Sequence, residues 1–157
     1  MAYEGPVEAA IHRFKYEGWR RLAGPLSQLV AERLAIEGIA ASKVVAVPLH
    51  PERLRQRGFN QAEVLAAELR RLVHLDSPEG ELVRTRPTPP QVGQDRLRRF
   101  ANVQGAFTWR GGPLRGESIL LIDDVATTGA TLDACASALR EASSGPVTGV
   151  SVARVNV

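Results

Sequence analysis

Two adjacent carboxylates, Asp123 and Asp124, close the run Ser118-Ile119-Leu120-Leu121-Ile122 and lead into Val125-Ala126-Thr127-Thr128-Gly129-Ala130-Thr131. A helical pattern then opens at Leu132-Asp133-Ala134-Cys135. An apolar strand that ends in acid and turns through hydroxylated residues and glycine onto a helix start is suited to holding a phosphate. Backbone N–H groups of Thr127 to Thr131 can converge as an anion nest, reinforced by the positive end of the helix dipole. Gly129 lets the backbone approach the anion closely, and the threonine hydroxyls add donors with little bulk. The two carboxylates would repel that phosphate. They suit sugar hydroxyls, or a metal-bound diphosphate lying beside it. A cap on the following helix would account for one acid, since capping uses a single side chain. It leaves the second acid and the Thr-Thr-Gly-x-Thr turn unexplained.

A second constellation is Val47-Pro48-Leu49-His50-Pro51-Glu52-Arg53-Leu54-Arg55-Gln56-Arg57-Gly58-Phe59-Asn60-Gln61-Ala62. Read as an extended loop, it sets alternate residues on one side, so Arg53, Arg55 and Arg57 are expected to line a face opposite a diphosphate. A solvated charged loop is the plainer reading of the same residues. A third set is Arg84-x-Arg86-Pro87-Thr88-x-x-Gln91 with Arg96-x-x-Arg99-x-x-Asn102-Val103-x-Gly105-Ala106-Phe107. Among 20 basic residues only Lys15 and Lys43 are lysines. Arginine holds phosphate bidentately and keeps its charge in every setting. A general bias toward arginine accounts for scattered surface positions, whereas the clusters at 53–57 and 84–99 read as anion-facing.

These groups need elements to position them. Val7, Ala10, Ile11 and Phe14, then Leu22, Leu26, Leu29, Val30 and Leu34, recur at helical spacing. Gly18 and Gly24-Pro25 divide them into two helices, and Gly38 is a stop. Lys43 to Leu49 reads as a buried parallel strand. A helix follows from about Gln61 to Leu75, its inner stripe Val64, Leu65, Leu69, Leu72 and Val73. Leu82-Val83-Arg84 reads as a short strand, Ile119–Ile122 as another, Leu132–Ala142 as a helix and Val147 to Val155 as a last strand. Strands alternating with helices predict a parallel α/β sheet whose ligands lie at the strands' carboxyl ends, where Val47-Pro48 and Asp123-Asp124 would end.

A chain of 157 residues suits one compact domain, and its 44% hydrophobic and 24% charged content is that of an ordinary globular protein. No stretch reaches the roughly 18 apolar residues of a membrane span. A secretory signal is not evident, so a cytoplasmic setting is expected. With Cys135 as its one cysteine, the chain can form neither an internal disulfide nor a multi-cysteine zinc site. Cys135, at helical spacing between Leu132 and Leu139, reads as a small buried hydrophobe. His12 and His74 have no metal-ligand partners at useful spacing, Trp19 and Trp109 read as packing residues, and His50 is placed either to orient backbone or to touch ligand. A single-strand DNA-binding role is disfavoured by an aromatic content of only 5%, because such sites use stacking platforms.

The Ile119–Thr131 run resembles the phosphoribosyl-pyrophosphate (PRPP) signature of type I phosphoribosyltransferases. The Pro48–Gln61 segment resembles a loop of the competence-associated ComF family of phosphoribosyltransferase-like proteins. So do the Arg84–Phe107 segment and the opening Tyr3-x-Gly5-Pro6-Val7, Phe14-Lys15-Tyr16-x-Gly18 and Leu22-Ala23. The resemblance spans nearly the whole chain. It implies a single domain over 1–157 with the type I phosphoribosyltransferase fold. That fold has a central, mainly parallel sheet flanked by helices, a small hood over 1–42 and a flexible flap. It implies that Asp123 and Asp124 hold the ribose and serve catalysis, and that Ala126, Thr127, Thr128, Gly129, Ala130 and Thr131 cradle the 5-phosphate. His50, Arg53, Arg55 and Arg57 would form the pyrophosphate loop, and Gln91, Arg99 and Asn102 would belong to the flap. Mg²⁺ would arrive with PRPP near Asp123 and Asp124 rather than in a cage of protein ligands.

The implied activity is transfer of phosphoribose to a nucleobase or other nitrogen acceptor with release of pyrophosphate, linked to competence and DNA uptake. The alternative is a PRPP- or nucleotide-binding regulator or DNA-uptake accessory without catalysis. Competence-machinery proteins, single-stranded DNA and a second copy of the chain are the further partners in view, without membrane insertion. Two departures stand out. Phe100-Ala101 occupies a place where relatives tend to be basic. The chain is also expected to lack the cysteine-rich zinc module that precedes this region in many relatives.

Overall fold

The computed structural model of the chain describes residues 1–85, 103 and 105–155. It begins with α1 (Gly5–Tyr16), a single 3-10 turn at Arg20–Leu22, and α2 (Ala23–Ile36). Pro6 sits in the first turn of α1, where an intrahelical N–H is not needed. Gly24-Pro25 likewise lies inside the first turn of α2, so it starts that helix rather than interrupting one. The buried stripe of α2 is Ala23, Leu26, Ser27, Val30 and Leu34. Leu29, expected on that stripe, is 43% exposed, as is Leu72 of the later helix at 40%. Leu29 is more than 100° around the helix from the middle of that stripe, whereas Leu72 keeps the phase of Leu65 and Leu69 and is exposed in the last turn of its helix.

A three-stranded sheet forms the centre, in the order β1-β4-β5. Its strands are β1 (Lys43–Ala46), β4 (Ile119–Ala126) and β5 (Val147–Arg154), all parallel. Val44 pairs with Leu120 and Ala46 with Ile122, and Val47 N–H extends the ladder to Ile122 O at 2.9 Å. Pro48 then has no N–H to offer, and the strand stops. Between the sheet strands lie α3 (Pro51–Arg57), α4 (Gln61–Val73) and a hairpin of β2 (Gly80–Arg84) with β3 (Phe107–Gly111). The β3 strand has no counterpart among the expected elements. Where the hairpin is narrowest, a Cβ on Gly80 would fall 2.6 Å from the Trp109 ring and 2.7 Å from Arg110 O. Glycine is therefore required there. The last helix, α5 (Ala130–Glu141), joins β4 to β5.

Central strand β4 is buried on both sides, and its period of two sorts its residues. Leu120 and Ile122 join the core built from α1, α2 and α4, which includes Ile11, Phe14, Val30 and Leu65. Ile119 and Leu121 join the other core, with Phe107, Cys135 and Leu139. The expected α/β architecture of a mainly parallel sheet flanked by helices is thus present.

Candidate functional site

The alternation along β4 decides what each acid meets. The strand runs four residues beyond Ile122, so both acids lie within it rather than after it. Asp124 continues the parity of Leu120 and Ile122 and faces the side carrying α1. There its Oδ1 receives Lys15 Nζ at 3.0 Å, with the two side chains only 12% and 15% exposed. Asp123 continues the parity of Ile119 and Leu121, toward α5 and the hairpin. Its Oδ1 accepts Asp124 N–H at 2.8 Å. Burial raises the Asp123 carboxyl from its ordinary value to about 7, and the neighbouring Asp124 charge adds to this. The Asp124 N–H, Lys15 and Arg84 pull the other way. One site therefore holds a lysine-paired carboxylate beside a carboxyl that can carry a proton near neutrality.

After Ala126 the chain turns through Thr127, Thr128 and Gly129 into α5. Gly129, at φ +84°, is the residue before the helix, and a left-handed backbone there is open to glycine at little cost. Thr128 Oγ1 accepts Ala130 N–H at 3.4 Å. The first-turn N–H groups of a helix lack intrahelical acceptors and point outward from its end. A small cavity of about 30 Å³ lies in this turn, bordered by Asp123, Thr127, Thr128, Gly129 and Thr131 among others. Ala126, Thr127, Thr128, Gly129, Ala130 and Thr131 are thereby brought together with Asp123.

The basic segment differs from the extended loop expected of it. Residues Pro51–Arg57 form α3, with His50 Nδ1 accepting Glu52 N–H at 3.3 Å as its cap and Gly58, at φ +76°, as its stop. His50 therefore orients backbone. In a helix, residues two apart diverge by about 200°. Arg53 and Arg57 consequently share a face, and Arg55 points away from it. The shared face borders a cavity of about 340 Å³ with Lys15, Tyr16 and Gln56. Arg57 donates to Gln61 Oε1 at 3.0 Å and to Tyr16 Oη at 3.2 Å. Behind this wall Asn60 caps α4, accepting Ala62 N–H at 3.1 Å and donating to Val47 O at 3.0 Å. The start of α4, capped two residues after the Gly58 stop of the arginine helix, is thus tied to the residue that follows β1.

Lys15 was given no site role from the sequence, and Arg84 was placed only within the anion-facing cluster at 84–99. Lys15 carries the ion pair to the Asp124 side chain, and its rarity as a lysine is the signal that could have drawn attention to it. Arg84 ends β2 over the Phe107 ring, 5.5 Å from its centre. Burial, then the charge of Arg53, lowers its pKa, while Cys135 and Asp123 oppose that shift. Cys135 is fully buried in the second core, with its thiol pKa pushed up by burial and by Asp123, and it packs as a small hydrophobe. Trp19 is flanked by Arg13 and Arg21, at 4.9 and 4.4 Å from its ring centre. Gln91, Arg99 and Asn102, together with Arg86 and Arg96, lie outside the described residues. Among the described residues no cluster of three or more His, Cys, Asp or Glu could hold a metal ion. No described helix is long and apolar enough to cross a membrane.

No family model matches the chain. Several curated proteins do. The DNA utilization protein YhgH of Escherichia coli is 32% identical over 135 residues, 83% of this chain and 59% of that protein. Competence protein F of Haemophilus influenzae is 30% identical, covering 88% of this chain and 64% of that one. Competence protein ComFC of Streptococcus pneumoniae is 30% identical over 98% of this chain and 66% of its own length. The chain thus spans about three fifths to two thirds of the relatives it matches. Among solved structures, UMP synthase of Leishmania donovani aligns with 90% of this chain and 24% of its own, at 15% identity and TM-score 0.48. A hypoxanthine phosphoribosyltransferase of Staphylococcus aureus aligns with 84% of this chain and 62% of its own, at 12% identity and TM-score 0.46. By its match to these competence and DNA-utilisation proteins over most of its length, the chain belongs to the ComF family.

Proposed function

We propose that the chain binds PRPP at the carboxyl end of its parallel sheet and transfers the phosphoribosyl group to a nitrogen nucleophile. The observation that carries this reading is the juxtaposition at the end of β4. A lysine-paired carboxylate and a protonatable one lead directly into a glycine turn and helix start, within reach of a cationic wall on α3. The turn at Thr127–Thr131 would hold the 5-phosphate with backbone N–H groups. Asp124, paired with Lys15 in the ligand-free chain, would accept hydrogen bonds from the ribose hydroxyls. Arg53 and Arg57 would face the diphosphate. Arg55, pointing away from the cavity, is a weaker candidate for that role.

In the reaction the bond from C1 of the ribose to the diphosphate oxygen breaks and a bond from C1 to nitrogen forms. The sugar passes through oxocarbenium-like character, as in glycoside chemistry. Pyrophosphate leaves with the bonding electron pair, and the proton shed by the nitrogen needs a base. Asp123 in its ionised form has the pKa for that task near neutral pH. Mg²⁺ arriving with PRPP near Asp123 and Asp124 would supply charge neutralisation for the leaving group. Among the described residues, two adjacent carboxylates without a third acidic or imidazole partner fit an ion held mostly by its ligand and by water.

The test is pyrophosphate release from Mg-PRPP in the presence of a panel of nucleobases and simple amines. Release with any acceptor, abolished in Asp124→Asn, supports transfer; binding without release with any of them contradicts it. A second reading is favoured by the names of the relatives, which speak of competence and DNA utilization rather than of synthesis. On that reading PRPP is a bound signal for a protein serving DNA uptake, and turnover is absent.

A further inference from the structure

The last turn of α1 sends two consecutive residues to two different parts of the site. Lys15 Nζ meets Asp124 Oδ1 at 3.0 Å, and Tyr16 Oη accepts from Arg57 at 3.2 Å. Gln61 Oε1 holds the same guanidinium from the other side at 3.0 Å. Between these contacts lies the cavity of about 340 Å³ bordered by Lys15, Tyr16, Arg53 and Arg57. Arg57 is thus fixed by two acceptors. Lys15, by contrast, stands on the boundary between the carboxylate pair and the cationic cavity. Its ammonium has three donors on a flexible stem.

Resting on the phosphoribosyl reading above, we propose that Lys15 is a shared cation that Asp124 gives up to the diphosphate, so that filling the diphosphate cavity opens the ribose site. With the cavity free of anions, Arg53 and Arg57 repel the ammonium and Asp124 attracts it, and both forces seat Lys15 on the carboxylate. A diphosphate in the cavity carries more negative charge than one carboxylate and reverses the field at Nζ. Lys15 then turns to the diphosphate. Asp124 is left buried, at 8% exposure, without its cation. A buried carboxylate that has lost its partner gains strongly from new donors. The ribose hydroxyls are those donors. Diphosphate and ribose therefore bind with positive coupling, and intact PRPP, which carries both, collects the benefit of the exchange. Either fragment alone meets a site half closed by the ion pair.

The coupling is measured by calorimetry with fragments: ribose 5-phosphate titrated into the chain with and without saturating Mg-pyrophosphate. The expected result is a roughly tenfold gain in ribose 5-phosphate affinity for the wild type, within the usual range of coupling between sites. In Lys15→Gln the gain falls below about twofold, and in Lys15→Arg, which keeps the cation, most of it returns. A merely structural lysine would change affinities or folding without abolishing the coupling. An independent readout needs no variant. Lysine labelled with ¹³C at Cε gives two signals, because the chain has only Lys15 and Lys43. Lys43 sits at the other end of β1 against Asp76 and Glu117, at 3.6 and 3.5 Å, and serves as the internal control. Mg-pyrophosphate should shift the Lys15 signal and leave that of Lys43 in place. Fragments that bind without coupling, a Lys15→Gln chain that keeps the full coupling, or an unmoved Lys15 signal would overturn the exchange alone. A wild-type chain that binds neither Mg-PRPP nor either fragment would overturn the phosphoribosyl reading together with it.

Discussion

Asp123 and Asp124 are chemically identical and adjacent, yet the strand places them in different company. Asp124 is held by a cation, while burial keeps Asp123 protonated to about pH 7 against an ordinary value of 3.8. The sign of the stability effect follows. Between those two values the folded chain retains a proton that the unfolded chain has released, so Asp123 contributes stability that is complete below about pH 4 and lost as pH rises through 7. Melting temperatures from pH 4 to 8 should therefore fall more steeply for the wild type than for Asp123→Asn, and equal slopes would contradict the shift. The acid pair itself was legible in the sequence, because two carboxylates before a hydroxyl-rich turn exceed what capping needs. The partner was not. Lys15 lies far away along the chain, and only the packing of α1 over the sheet brings it to Asp124.

At the scale of elements, the arginine segment is the instructive case. Read by alternation it is an extended loop; in the structure it is a helix of seven residues. The helix signals were present: Pro51 in the first turn, Glu52 beside it, basic residues in the last turn and Gly58 as the stop. They were obscured because α3 buries none of its residues and so has no apolar stripe to betray a period. Missing β3 has a similar cause, since five residues that alternate only against one partner strand carry little pattern of their own. The two caps around α3 separate surface from core. Asn60→Ala removes a buried cap and leaves Val47 O without its donor, which should cost roughly 2 kcal/mol. His50→Ala, losing an exposed cap, should cost under about 1 kcal/mol. Urea denaturation of the pair checks the order, and a larger loss at His50 would contradict it. In the turn after β4, a Cβ on Gly129 meets nothing within 4 Å. Gly129→Ala should therefore cost only the left-handed backbone term of about 1–2 kcal/mol, and a much larger loss in the same assay would reveal contacts the turn lacks here.

For the whole molecule, β4 is at once the spine of both cores and the carrier of the site. Leu121 is fully buried on one of its faces, and Leu121→Ala should destabilise by about 2–5 kcal/mol, while Ile36→Ala, at a position 77% exposed, should stay within about 0.5 kcal/mol. Chemical denaturation of both variants tests the assignment of core and surface. The layering was legible because apolar strands and amphipathic helices alternate along most of the chain. The proposed function requires that the acid pair and the turn after it hold a phosphoribosyl diphosphate. Calorimetric titration of Mg-PRPP into the wild type and Asp124→Asn measures it most directly. The account predicts saturable binding to the wild type and at least roughly tenfold weaker binding to the variant, a loss of about 1.4 kcal/mol. No binding to the wild type, or equal binding to both, would contradict it.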